Sequence, residues 1–155
     1  MLVFHGTQLM FIWKHIANYK KAVNGGINFS PFLILIRYKT KNKMERNIDV
    51  ILTHYFIAAL WTSEFDNHNV YEFSKETIET SKKDIEKFLQ ESNNYLIDLS
   101  NETIGHNFWL TRNRHGAGFW DLDELDNETG EIVSKICYTF KEVNVFENGN
   151  EMIIE

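Results

Sequence analysis

The fold of this protein depends most on residues 105–121, which read GHNFWLTRNRHGAGFWD. Side chains alternate in character over residues 106–111, with Trp109 opposite its apolar neighbours, and such alternation is typical of a β-strand. Residues 112–118 bring two glycines, which suit the tip of a turn, and residues 119–120 resume an extended run. The stretch therefore predicts a β-hairpin whose aromatic side chains pack into the core.

Two helices are predicted ahead of this hairpin. Residues 48–62 carry apolar side chains at i, i+3 and i+4 spacing, the pattern of a helix with one buried face. Ser74 is a suitable N-cap for a second helix, and Glu76 complements the helix dipole in the first turn. We expect this second helix to end near residues 93–94.

A third helix and a second hairpin are predicted in the remainder of the chain. Apolar residues recur at helical spacing over residues 132–140. Asn148-Gly149 separates two short apolar runs, and this dipeptide favours a tight hairpin turn because both residues tolerate positive φ. The predicted fold class is α+β, with two N-terminal helices, a β-hairpin carrying residues 105–121, a third helix and a C-terminal β-hairpin.

Charge is distributed unevenly along the chain. Residues 1–43 carry seven basic and no acidic residues, whereas residues 44–155 carry nine basic and twenty-two acidic residues, a net charge of −13. This asymmetry predicts a basic N-terminal extension, 1–43, on a single acidic α+β domain, 44–155. Because Met44 is a plausible start, the alternative is that the extension comes from an upstream start codon.

Composition excludes several classes of protein. The chain of 155 residues has one cysteine, Cys137, so it has neither an internal disulfide framework nor a multi-cysteine metal site. The apolar run at residues 32–36 is much shorter than the ~20 residues that a membrane helix needs, and residues 1–43 do not read as a secretory signal. We expect a protein of the bacterial cytoplasm that uses no membrane, metal or cofactor.

The 105–121 stretch resembles a signature, approximately GHDFWLTRNGHGAGFWD, of small acidic phage and mobile-element proteins whose biochemical function is unassigned. The resemblance covers about residues 46–155, since residues 59–63, an acidic second helix and the C-terminal elements follow in matching order. The chain departs from the signature at Asn107, where Asp is usual, and at Arg114, where Gly is usual. Because the members of that family begin near the position of Met44, the resemblance also implies that residues 1–43 are either an extension or not native to the family.

The first functional hypothesis is an accessory protein that binds a host or phage macromolecule, in host takeover or counter-defence. The resemblance implies a phage or mobile-element protein, and the binding role follows by analogy with other small phage proteins. An acidic body of −13 repels duplex nucleic acid. A protein partner is therefore expected ahead of nucleic acid. Neither the partner nor the oligomeric state follows from the residues.

The alternative hypothesis is a small enzyme that acts on a phosphoester or a nucleotide. Two histidines, a carboxylate and an arginine can supply a general base, an orienting group and an anion clamp. The candidates for these roles are His106, Arg112, His115 and Asp121. A purely structural interpretation competes with it, in which the aromatic residues build the core and Arg112 hydrogen-bonds carbonyls or a carboxylate.

The third hypothesis is a single-stranded nucleic-acid binder. The turn after residue 111 forms a basic island in an acidic body, arginine is a bidentate phosphate donor, and exposed tryptophans stack on bases. The binding surface predicted from this pattern consists of Trp109, Arg112, Asn113, Arg114, His115 and Trp120.

Overall fold

The structure, a computed structural model, describes residues 46–65 and 67–155. The predicted basic extension at residues 1–43 lies outside the described residues. The described part of the chain contains four α-helices and one two-stranded antiparallel sheet. The predicted α+β fold is therefore wrong, because the domain is mostly helical and has a single hairpin, at its C-terminus, among the residues described.

Helix α1 spans Ile48–Trp61 and begins at Asn47, whose side chain accepts hydrogen bonds from the backbone N–H groups of Asp49 and Val50. Burial on several of its faces makes α1 the central helix of the domain. A short 3-10 helix, Val70–Glu72, follows it. The sequence correctly predicts this first helix.

Helix α2 spans Lys75–Ser92 and begins where the sequence predicts. The Ser74 side chain accepts a hydrogen bond from the backbone N–H of Thr77, which satisfies one of the free donors at the helix start. Its buried side chains lie on one face, so α2 covers the core and exposes a charged surface. A loop of turns, residues 93–100, leads to the next helix.

Helix α3, Asn101–Arg112, replaces the first strand of the hairpin that the sequence predicts for residues 105–121. The Ser100 side chain accepts a hydrogen bond from the backbone N–H of Thr103, and Glu102 lies in the first turn. Most residues from Ile104 onwards are buried, on nearly every face of the helix. Because polar Asn107, Thr111 and Arg112 are buried together with the apolar residues, the helix lacks the one-sided apolar pattern that marks a surface helix, which explains the wrong prediction.

The second predicted strand of that hairpin is a 3-10 helix, Phe119–Asp121. Helix α4 then spans Asn127–Cys137 and begins at Asp126, whose side chain accepts the N–H of Thr129. Helix α4 approaches the 3-10 helix closely, because a Cβ at Gly130 would lie 2.7 Å from the Phe119 carbonyl oxygen. The aromatic pair 119–120 is therefore held by helix packing and not by a strand partner.

The C-terminal hairpin consists of β1, Val145–Asn148, and β2, Glu151–Ile154, paired antiparallel with Val145 opposite Ile154. Gly149 has a φ of 67° at the first central position of the turn, a conformation that glycine adopts without strain. The outer edge of β2 meets the start of α2, where the Ser74 N–H donates to the Met152 carbonyl oxygen. The hairpin is thus anchored to the helices by one of its two edges.

Aromatic side chains form the centre of the core. Phe88 of α2 and Phe108 of α3 stack with centroids 4.3 Å apart, and Phe119 and Phe140 pack around this pair. Over the residues that the structure describes, no helix has the length and apolar character needed to cross a membrane.

Candidate functional site

Trp109, near the end of α3, lies inside the domain. It is 3% exposed, and its Nε1–H donates a hydrogen bond of 2.7 Å to Oγ1 of Thr62, just beyond the end of α1. The structure corrects the expectation that Trp109 is exposed and available to stack on a base. Trp120 is half-buried and packs against Gly118, where a Cβ would collide with its ring.

Arg112 is also buried, with 5% of its surface exposed. Its Nε donates to the Lys141 carbonyl oxygen at 2.6 Å, and its Nη1 donates to Oδ2 of Asp84 at 2.8 Å and to Oη of Tyr55 at 3.0 Å. Burial raises the pKa of Tyr55 to about 12, so this phenol stays protonated. These contacts confirm the structural interpretation of Arg112, because its donors are engaged with a carbonyl, a carboxylate and a hydroxyl.

The four catalytic candidates are not assembled into one site. His106 packs against Trp61, with ring centroids 5.8 Å apart, and partial burial lowers its pKa. Oδ1 of Asp121 accepts the backbone N–H of Gly118 at 2.8 Å and so caps the 3-10 helix. Within residues 46–65 and 67–155, neither His106 nor His115 hydrogen-bonds to Arg112 or Asp121.

Arg114 lies at the surface and in the left-handed region, with a φ of 55°. The preceding helix ends in a Schellman motif, since the Arg114 N–H donates to the Thr111 carbonyl and the His115 N–H to the Leu110 carbonyl. The Arg114 guanidinium contacts Oε1 of Glu142 at 2.7 Å and lies over the Tyr138 ring. The positive charge of this residue is thus already balanced by a neighbouring carboxylate.

Asn113 connects the end of α3 to the segment before β1. Its Nδ2 donates to the Trp109 carbonyl oxygen at 3.1 Å, while its Oδ1 accepts the Val143 N–H at 2.8 Å. One amide side chain therefore closes the helix end and holds an extended segment beside it. Asn113 has this positioning role in addition to lining the surface described next.

An open cleft of about 350 Å³ lies between the end of α1, the end of α3 and the segment that enters β1. Three of the residues predicted to bind a partner, Trp109, Asn113 and His115, line it. Residues missed by sequence reasoning form its other walls. These are Thr62, Ser63, Glu64, Phe65, Glu142, Val143, Asn144 and Val145.

The electrostatic character of the cleft is acidic. Glu64 and Glu142 contribute carboxylates, and both residues are exposed. Among the described residues that line the cleft, none is lysine or arginine. Such walls repel phosphate and favour a ligand that carries positive charge.

The sequence holds one weak signal for the missed walls. Residues 59–63 are part of the resemblance that the sequence predicts, and the structure places Thr62, near their end, in hydrogen-bond contact with Trp109. Residues 142–145 have no comparable signal, because their place in the site depends on a contact with Asn113 that spans 30 positions.

Metal and thiol chemistry have little support in the described part of the chain. No group of three or more His, Cys, Asp or Glu side chains there could hold a metal ion. Cys137 is buried, and burial raises the pKa of its thiol. Since the thiolate is the reactive form, Cys137 is poorly suited to nucleophilic chemistry.

The fold and site together define a small, mostly helical domain with an acidic surface cleft. Comparisons with protein-family models, with curated proteins and with solved structures found no match to this chain.

Proposed function

We propose that the protein is a small accessory protein of phage or mobile-element type that binds a partner protein through the cleft, in the cytoplasm of a bacterial host. The observation that carries the proposal is the convergence of Trp109, Asn113 and His115 on one open cleft. The walls of the cleft belong to helix ends and to a segment tied by Asn113. Such a rigid frame suits recognition of a partner.

The positions of the catalytic candidates favour binding over catalysis. A general base has to reach both its orienting group and the substrate. Arg112 is instead engaged inside the core, and Asp121 caps a 3-10 helix away from both histidines. His115 alone among the four lines the cleft.

The arrangement of the arginines favours a protein partner over single-stranded nucleic acid. Arg112 is buried, Arg114 is paired with Glu142, and Trp109 offers no free face for stacking. A cleft with two carboxylates and, among its described walls, no lysine or arginine adds repulsion toward phosphate.

Affinity capture from host lysate tests the proposal with a matched pair of variants. Asn144 and Asn150 are both exposed residues of the hairpin region, and Asn144 alone of the two lines the cleft. We expect the wild-type chain and Asn150→Trp to retain one specific partner and Asn144→Trp, which fills the cleft, to lose it. Capture of no specific partner, or equal capture by both variants, would overturn the proposal.

A direct assay separates the nucleic-acid alternative. Anisotropy of a labelled single-stranded oligonucleotide at low salt should show no saturable binding by the full chain. Binding that falls in the Arg114→Ala variant would instead favour nucleic acid as the ligand.

A further inference from the structure

One edge of the C-terminal hairpin has backbone groups that no described residue uses. Asn144 and Glu155 exchange both of their backbone hydrogen bonds, so hydrogen-bonded pairs alternate along the ladder from that point. Val145 and Glu147 therefore occupy non-hydrogen-bonded positions opposite Ile154 and Met152. Their N–H and C=O groups point away from β2.

The two edges of the hairpin have different surroundings. On the β2 side, the Met152 carbonyl accepts the Ser74 N–H, and the Ile154 N–H donates to Oγ1 of Thr77. On the β1 side, no backbone hydrogen bond from residues 46–65 or 67–155 reaches Val145 or Glu147. The helices thus complete the edge of β2 and leave the described edge of β1 without a partner strand.

The outer edge of β1 continues into the cleft. The Val143 N–H, which precedes Val145 on the same side of the chain by the two-residue period of a strand, donates to Oδ1 of Asn113. Val143 and Val145 both line the cleft. Asn113 therefore occupies the Val143 N–H, and the backbone groups of Val145 and Glu147 follow it along the outer edge of β1.

The charge of the site points to a cationic ligand. Glu64 and Glu142 lie in the cleft walls, and Glu147 adds a carboxylate on β1 itself. Arg114 neutralises Glu142 in part, whereas no described basic side chain is paired with Glu64 within 4.0 Å. The acidic domain as a whole strengthens the attraction for positive charge.

We propose that the partner binds as an extended peptide segment that pairs with the outer edge of β1 as a third strand and places a lysine or arginine side chain in the cleft beside Glu64. This inference rests on the proposed function, since it names the segment of the partner that the cleft recognises. Strand addition supplies affinity through main-chain hydrogen bonds, and the cleft supplies specificity through one side chain.

A second copy of the chain is a poorer occupant of this edge. Pairing two β1 edges would bring two Glu147 side chains and two domains of net charge −13 together. Like charges in close apposition disfavour association. A basic segment of another protein meets no such repulsion.

The test uses the full-length chain and randomised peptides of about twelve residues displayed on phage, a length that covers a short added strand. Enriched sequences are synthesised with a fluorescent label, and Kd is measured by anisotropy. We expect these sequences to combine β-branched or aromatic residues with at least one lysine or arginine. Replacing that basic residue by glutamine should weaken binding about threefold or more, and added salt should reduce the difference.

Two variants at the exposed residue Glu147 measure how much the pairing of the peptide with β1 contributes to binding. Glu147→Pro and Glu147→Thr both remove the carboxylate, but only proline removes the outward N–H, which the ladder with β2 does not use. We expect Glu147→Pro to bind the peptide at least about tenfold more weakly than Glu147→Thr. Equal affinities, or no peptide enriched over a control without bait, would overturn the inference.

Modified peptides test the same pairing without changing the protein. N-methylation of alternate peptide amides should abolish binding in one register and leave it nearly intact in the other, because alternate N–H groups face β1. Equal effects in both registers contradict strand addition. Self-association that depends on concentration and disappears in Glu147→Pro would assign the edge to a second copy and would also overturn the inference.

Failure of strand addition can be distinguished from failure of the proposed function by comparing the two variants. If Asn144→Trp abolishes capture of a cellular partner while Glu147→Pro retains it, the cleft binds a protein but not by strand addition. If both variants capture the partner as well as wild type, the proposed function itself fails.

Discussion

Gly105 lies where α3 crosses α1, and its missing side chain allows the two backbones to meet. A Cβ at this position would overlap the carbonyl oxygen of Ile51. Gly105→Ala should therefore lower the free energy of unfolding by about 2 kcal/mol or more, as overpacking of a core does. Urea denaturation measures this, with Gly116→Ala as a control, because a Cβ there meets no atom within 4 Å. Equal stabilities of the two variants would contradict the close crossing of the helices.

Arg114 holds a backbone conformation that glycine adopts more easily. Its φ of 55° places it in the left-handed region at the end of α3, which costs an L-residue about 1 kcal/mol. We expect Arg114→Gly to be more stable than Arg114→Ala by about this amount. Thermal unfolding of the two variants gives the comparison, since both lose the contacts with Glu142 and Tyr138. A more stable alanine variant would argue against the Schellman motif.

Arg112 connects α3 to three other parts of the fold. It contacts Tyr55 of α1, Asp84 of α2 and the Lys141 carbonyl in the segment before β1. Arg112→Ala leaves a partly buried Asp84 carboxylate without its partner. Breaking a buried ion pair in this way costs about 3 kcal/mol. Chemical denaturation should show this loss, whereas Arg114→Ala, which breaks an exposed pair, should cost about 1 kcal/mol or less.

Because Arg112 stabilises the domain, any binding measurement on an Arg112 variant needs a measurement of its stability beside it. A variant of Arg112 that loses partner binding would do so through unfolding or loosening of the domain. Circular dichroism and the unfolding midpoint have to accompany any binding measurement on it. If Arg112→Ala unfolds at the same denaturant concentration as wild type, the arginine is not the anchor that its contacts indicate.

The stability of the whole molecule is expected to fall in two separate pH ranges as the pH is lowered. Partial burial, together with His54, lowers the pKa of His106 below its ordinary 6.5. The unfolded chain then takes up a proton at pH values where the folded protein does not, so stability falls as the pH drops below 6.5 and levels off below the folded pKa. Tm between about pH 7.5 and 5 should decline less in His106→Gln than in wild type. Identical slopes would contradict this role of His106.

Protonation of carboxylates causes the loss of stability in the lower of the two pH ranges. Hydrogen bonds from His68 and from the Asn69 N–H lower the pKa of Glu72, and the Thr129 N–H and hydroxyl lower that of Asp126. Their stabilisation is present above the ordinary carboxyl pKa and is lost as the pH falls through the folded values. A second decline in Tm, unaffected by His106→Gln, should therefore appear below about pH 4.5. Glu72→Gln should reduce this second decline.

Local sequence determined the elements whose boundaries depend on near neighbours. Ser74 starts α2 because its hydroxyl reaches an N–H three residues ahead, and Gly149 closes the hairpin because it tolerates a positive φ. These interactions span a few residues, so the sequence pattern is sufficient to predict them. Three of the residues that the pattern at 105–121 predicts as a binding surface, Trp109, Asn113 and His115, line the cleft.

Tertiary structure alone decided the conformation of residues 105–121 and the remaining walls of the cleft. A segment buried on nearly every side has no solvent-exposed polar face, so its periodicity does not distinguish helix from strand. Packing against α1 through Gly105 selects the helix. Thr62 meets Trp109, and Val143 meets Asn113, across 47 and 30 positions of the chain. Contacts of that range form only when the helices pack together, and for that reason no local pattern in the sequence predicts the wall formed by residues 142–145.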